Sequence, residues 1–171
     1  MNFKHLLAFQ AYKWLMCPNP MSPVMIETSE TSYTHVLEAS VRMLVVDDDP
    51  IQREFATVYL TTPAAQVIAV PTAERALKRL HKEHFDIVLV DFEMPGMDGV
   101  ELIKAMRAES KFAKLPIIMI TGHEGIATID AAYRAGATSF VTKPVNWRLL
   151  SYQIKYVMRA HAVLHDDGDH A

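Results

Sequence analysis

Five short, wholly apolar runs punctuate the chain between residues 41 and 158, and each is followed by a polar turn and then by residues at helical spacing. The runs are Met43–Val46, Val67–Val70, Ile87–Val90, Ile117–Ile120 and Phe140–Val141. Continuous aliphatic and β-branched runs of this length, without alternation of apolar and polar residues, suit strands covered on both faces. Strands that alternate with helices in this way build a parallel sheet with helices on either side, an α/β architecture.

The helices carry their own start signals. Asp49 is placed to cap the first, Pro50 fits its first position, and Gln52 is spaced to close a capping box. Asp98 and Asn146 are further caps. After Asp98, apolar Val100, Ile103 and Met106 share one helical face; after Asn146 a stripe runs through Leu150, Ile154, Val157, His161 and Leu164. This last helix reads as longer than the sheet needs.

A chain of 171 residues, half of them apolar, suits one ordinary domain with residues to spare. The reading is an N-terminal extension over 1–40, a domain over 41–158, and a helix extension with an acidic, disordered tail over 159–171. The extension holds Pro18, Pro20 and Pro23 and a Ser/Thr/Glu-rich stretch, which reads as a linker after a short amphipathic segment. Lys4, His5, Gln10 and Lys13 interrupt its apolar residues before they reach the length of a membrane span or a signal core. A formal charge of −3 and a pI near 6.2 argue against direct nucleic-acid contact. Cys17 is the only cysteine, so no intramolecular disulfide forms, which fits a cytoplasmic protein.

The informative residues stand directly after the strands: Asp47, Asp48 and Asp49 after the first, Asp91 after the third, Thr121 after the fourth, Lys143 close behind the fifth. In open parallel α/β sheets the ligand site lies beyond the carboxyl ends of the strands, where the strand order reverses. With the first and third strands adjacent there, three carboxylates, a hydroxyl and an ammonium converge. Two carboxylates about 4 Å apart repel by roughly 4 kcal/mol at an effective dielectric of 20, so the cluster needs more cation than Lys143 supplies. Oxygen-only ligands select a hard ion such as Mg²⁺. Metal and lysine together suit a phosphoryl group passing to a carboxylate.

Four segments, Val45–Asp48, Val90–Gly99, Ile120–Gly122 and Phe140–Pro144, resemble in order and spacing the signature of the response-regulator receiver domain, the chemotaxis-type family. The resemblance spans roughly residues 41–158. It implies a flavodoxin-like, doubly wound sheet of five parallel strands in the order 2-1-3-4-5. It implies that Asp91 accepts a phosphoryl group from a sensor histidine kinase or phosphotransfer protein. Asp48, Asp91 and the Glu93 carbonyl would ligate magnesium, with Asp47 acting mainly through a metal-bound water. Thr121 would hydrogen-bond a phosphoryl oxygen, Lys143 would pair with Asp91 and then with that group, and the Lys143–Pro144 bond would be cis. Phe140 would be the rotameric reporter of the switch. Glu93 and His123 would tune phosphoryl lifetime. Such a domain catalyses only its own phosphorylation and dephosphorylation and acts through a downstream effector.

Several plainer readings stand beside these. Asp49 has a sufficient role as a cap. The pairs His81 with His84 and His161 with His165 are assigned no metal. Trp147 serves packing or, with Arg148, a partner face. A pseudo-receiver scaffold would lack an acid or the lysine, and none is missing here; an aspartate-nucleophile hydrolase would use Glu93 as acid and base but would need a cap segment over its substrate. The Asn146–Leu150 helix start also resembles receivers that precede cyclic-dinucleotide enzymes. A stand-alone receiver whose helix beyond Met158 helps it form a homodimer is the other expectation.

Overall fold

The computed structural model describes residues 37, 40–123 and 125–166. The sequence-based calls on residues 1–36 and on the acidic run after Asp166 lie outside the described residues. Strands and helices alternate: β1 (Val41–Val46), α1 (Pro50–Leu60), β2 (Ala65–Val70), α2 (Ala73–Lys82), β3 (Ile87–Asp91), α3 (Gly99–Ala108), β4 (Ile117–Thr121), α4 (Ile126–Ala135), β5 (Ser139–Thr142) and α5 (Trp147–Asp166). A single 3-10 turn, Ser110–Phe112, leads into β4. The strands form one parallel sheet in the order β2-β1-β3-β4-β5, the expected doubly wound, flavodoxin-like arrangement.

Each central strand divides its side chains between two cores, as the two-residue period of a strand requires. Leu44, Val46, Val88, Val90, Ile117 and Met119 face α2, α3 and α4. Met43, Val45, Ile87, Leu89, Ile118 and Ile120 face α1 and α5. This accounts for the apolar runs in β1, β3 and β4, whose residues are almost all buried. The expectation of two covered faces fails at the edges: β2 and β5 are only partly buried, because each has one neighbouring strand and less helix over it. The packed region also begins before Val41, since Leu37 is buried in the α1/α5 core and its carbonyl accepts from Thr62 Oγ1 at 3.2 Å.

The caps follow the sequence with one correction. Asp98 forms a full capping box with Glu101, and Asn146 Oδ1 accepts from the Leu149 amide at 3.1 Å. Asp49 caps α1 through the Ile51 amide, with Pro50 in the first turn, but Gln52 does not close a box. The Asp49 amide that Gln52 would have taken donates instead to Asp47 Oδ1 at 2.9 Å. Leu150, Ile154 and Val157 of α5 are buried as the stripe predicts, while His161 is only partly covered and its Nε2 lies 2.6 Å from the Lys114 carbonyl oxygen. The Leu164 side chain lies outside the described residues. The helix itself continues through Asp166.

Candidate functional site

Strand register assembles the site. Val46 pairs with Val90 across β1 and β3, so Asp47, one residue on, comes beside Asp91. Asp91 in turn pairs with Ile120 across β3 and β4, which sets Thr121 one step above it. Thr121 pairs with Thr142, and the Lys143 amide donates to the Thr121 carbonyl at 2.7 Å, so the lysine leaves the sheet at the same end. The Lys143–Pro144 peptide is cis, as expected.

Asp47, Asp48 and Asp91 each offer a carboxylate oxygen, and these atoms lie within 4.8 Å of one another. Asp47 and Asp91 are buried, at 3% and 2% exposure, while Asp48 opens to solvent. Lys143 Nζ lies 2.8 Å from Asp91 Oδ1 and 3.7 Å from Asp47 Oδ2. Burial pushes the Asp91 carboxyl up to about 6; Lys143 opposes this, and the neighbouring charges of Asp47 and Asp48 reinforce it. Burial likewise raises Asp47, against the Asp49 amide and Lys143, with Asp48 and Asp49 adding to the rise. Burial by itself would lower Lys143, but the carboxylates of Asp91, Asp47 and Asp48 outweigh it and hold the ammonium above its ordinary value.

These features fit a hard divalent cation. The donors are all oxygen, and two are buried carboxylates whose charge one lysine does not balance. Asp91 Oδ1 is buried without a hydrogen bond of good geometry, its contact with Lys143 being an ion pair. Lys143 gives that oxygen one cation but shares its single charge with buried Asp47, 3.7 Å away, so a second cation would offset the charge that remains.

The family model for the response regulator receiver domain matches residues 43–155. The chain belongs to this family. The receiver domain is 33% identical over 123 residues to the heme response regulator HssR of Staphylococcus aureus, a match covering 72% of this chain and 54% of that protein. The chain thus spans about half the length of the curated relatives it matches. Among solved structures, it is similar to the chemotaxis protein CheY4 of Vibrio cholerae, with 29% identity, a TM-score of 0.66, and coverage of 70% of this chain and 99% of that one. A CheY-like receiver domain protein from Methanospirillum hungatei gives 28% identity, a TM-score of 0.67, and coverage of 72% and 98%. Receiver domains of this family serve two-component signal transduction, where they interact with histidine kinases and effector domains. No described helix is long and apolar enough to cross a membrane.

The remaining predicted residues of the receiver domain fall into two groups. Glu93 and His123 lie near the acids but face each other, with His123 Nε2 2.7 Å from Glu93 Oε1. The Glu93 carboxylate is therefore engaged with His123 and is not among the three carboxylates that cluster. His123 also sets its ring against Phe92, and its amide donates to Thr121 Oγ1 at 3.0 Å. Phe140 stands farther out, half-buried and edge-on to Tyr133. Outside the site, His81 contacts Glu109 and His84 contacts Asp86. Trp147 packs on the α1/α5 core and stacks on Tyr59 with ring planes 5° apart, which favours the packing reading.

Two residues that sequence reasoning passed over support the receiver domain's acids. Arg53, one turn into α1, donates from Nη1 to the carbonyls of Asp47 and Asp48 at 2.7 and 2.8 Å. Gly99 lies so close to the Asp91 main chain that a Cβ there would stand 2.2 Å from the Asp91 carbonyl oxygen. The Gly99 signal was present in the Pro-Gly-Met-Asp-Gly loop. Nothing in the spacing of a lone arginine pointed to Arg53.

Proposed function

We propose that this receiver domain accepts a phosphoryl group on Asp91 from a sensor histidine kinase or phosphotransfer protein, in the cytoplasm, and thereby switches its binding to a downstream partner. The observation that carries this reading is the buried Asp91 carboxylate held beside Lys143 within a cluster of three acids.

Asp48 and Asp91, with the main-chain carbonyl of Glu93, would hold magnesium, with Asp47 in its outer sphere. The bound ion supplies positive charge that offsets carboxylate repulsion and the charge of the incoming phosphoryl oxygens. An Asp91 oxygen forms the new bond to phosphorus as the phosphorus–nitrogen bond of the donor's phosphohistidine breaks, and the electron pair stays on the imidazole nitrogen. The Lys143 ammonium turns from Asp91 Oδ1 to a phosphoryl oxygen without losing a proton. Thr121 Oγ1 accepts from the His123 amide at 3.0 Å and donates to the His123 carbonyl only at a long 3.5 Å, so a turn of the hydroxyl would give its hydrogen to a phosphoryl oxygen. Phe140 and the face of α4, β5 and α5 would then favour a second arrangement, a population shift read out by the partner. Glu93 and His123 flank the route of the hydrolytic water and set how long the acyl phosphate lasts.

Incubation with a small acyl-phosphate donor and magnesium, followed by intact mass, tests this. A single phosphoryl adduct is expected in the wild type and none in Asp91→Asn. Partner binding without any adduct would favour a scaffold, and steady turnover of unrelated phosphate monoesters would favour a hydrolase.

A further inference from the structure

We infer that Arg53 is a positioning residue for the acidic site, holding the β1–α1 turn so that Asp47 and Asp48 face a divalent cation. This rests on the metal reading proposed above and concerns how the chain prepares for the ion.

The physical problem is the turn itself. Asp47, Asp48 and Asp49 follow one another directly after β1, and mutual repulsion among Asp47, Asp48 and Asp91 favours a turn that splays outward. Lys143 opposes this from the β5 side, through Asp91 and Asp47. Arg53 opposes it from the α1 side. It makes no ion pair with these carboxylates; it takes main-chain oxygens, with one guanidinium nitrogen shared between the Asp47 and Asp48 carbonyls. Both are short, charge-assisted hydrogen bonds, the stronger kind. Carbonyls tied toward α1 fix the two peptide planes, and with them the directions of both side chains.

The rest of the turn agrees with this role. The Asp49 amide donates to Asp47 Oδ1, so one carboxylate oxygen is oriented from below while the carbonyl behind it is held by Arg53. Arg53 is in turn held in helix register by its own amide to the Asp49 carbonyl at 3.1 Å, and by Thr57 Oγ1 donating to the Arg53 carbonyl at 2.8 Å. Groups that orient ligands without touching the metal commonly alter metal affinity by about 10- to 100-fold when removed. The guanidinium is also a positive charge near the cation's place, which by repulsion alone would weaken binding. The positioning effect and the charge effect therefore predict opposite signs.

Magnesium chloride titrations of the full chain, followed by amide chemical shifts, separate the two effects with Arg53→Lys and Arg53→Gln. Lysine keeps the charge but its nitrogen falls one atom short of the Nη1 that reaches both carbonyls; glutamine falls two atoms short and loses the charge as well. The expected result is a dissociation constant raised about 10-fold or more in Arg53→Lys, with a thermal midpoint close to wild type. Faster hydrogen exchange at the Asp49 amide is expected in the metal-free Arg53→Lys variant. The phosphorylation rate with a small acyl-phosphate donor is expected to recover at saturating magnesium. Tighter binding in Arg53→Gln than in wild type, or binding within twofold of wild type in both variants, would overturn the assignment while leaving the metal reading in place. A wild type that takes up no magnesium would overturn the metal reading, and this one with it.

Discussion

Replacing Asp91 by asparagine should stabilise the metal-free domain at neutral pH, although it removes the residue at the centre of the site. The Asp91 carboxyl is raised from an ordinary 3.8 to about 6, chiefly by burial. The gap is worth about 3 kcal/mol in favour of the protonated form in the folded state. Because the folded value is the raised one, this stability is fully present below about pH 4 and is lost as pH rises through 6. Asp47, raised for the same reason, acts in the same direction. Asparagine carries no such charge, so in Asp91→Asn the contribution does not fade. Other groups titrate over the same range in both proteins, so the quantity to read is the difference between them. Urea unfolding in excess EDTA, followed by circular dichroism at pH 5, 6, 7 and 8, measures it. The Asp91→Asn advantage should grow from pH 5 to pH 7 toward a limit of about 3 kcal/mol, a figure in which the opposing pull of Lys143 is already counted. Saturating magnesium should restore stability to the wild type above pH 6. A difference between the two proteins that stays flat from pH 5 to 8, or an Asp91→Asn variant less stable at pH 7 without metal, would refute the account of a buried, charge-strained carboxylate.

Gly99→Ala should destabilise the domain by about 2 kcal/mol or more, since its Cβ would meet the Asp91 carbonyl at 2.2 Å and neither backbone can retreat without disturbing the site; a loss under 0.5 kcal/mol in urea unfolding would count against this. Asp98→Ala opens the capping box at the start of α3 and should lower stability by about 1 kcal/mol, read as a shift in the unfolding midpoint at unchanged slope. Glu93→Ala and His123→Ala should each change the decay rate of the aspartyl phosphate, followed by loss of the mass adduct after the phosphodonor is removed by desalting into magnesium buffer. Unchanged decay in both would remove these residues from lifetime control.

Much of the candidate site was legible in the chain because its polar groups sit at strand ends. A strand announces itself by an apolar run, and the polar residue that ends it is visible without coordinates: Asp47, Asp91 and Thr121 were found in this way, and Lys143 by its place just behind the last run. The edges of the sheet were not legible. The β2 run is as apolar as its neighbours although β5 offers only Phe140 and Val141, and the strand order decides which of them lack a second partner. The capping box at Gln52 failed for a related reason, since the Asp49 amide had a better acceptor in Asp47.

Local grammar is strong enough to set the α/β alternation, the caps at Asp98 and Asn146, and the identity of the acidic residues, because each depends on neighbours a few positions away. The tertiary structure decided what those residues face. Register brought Asp47 beside Asp91, the helix α1 turned Arg53 back onto two carbonyls, and Glu93 was drawn to His123 across 30 positions of sequence. Charges separated by that much chain have no fixed distance until the sheet closes, and the energies of burial and pairing that define this site exist only after it has.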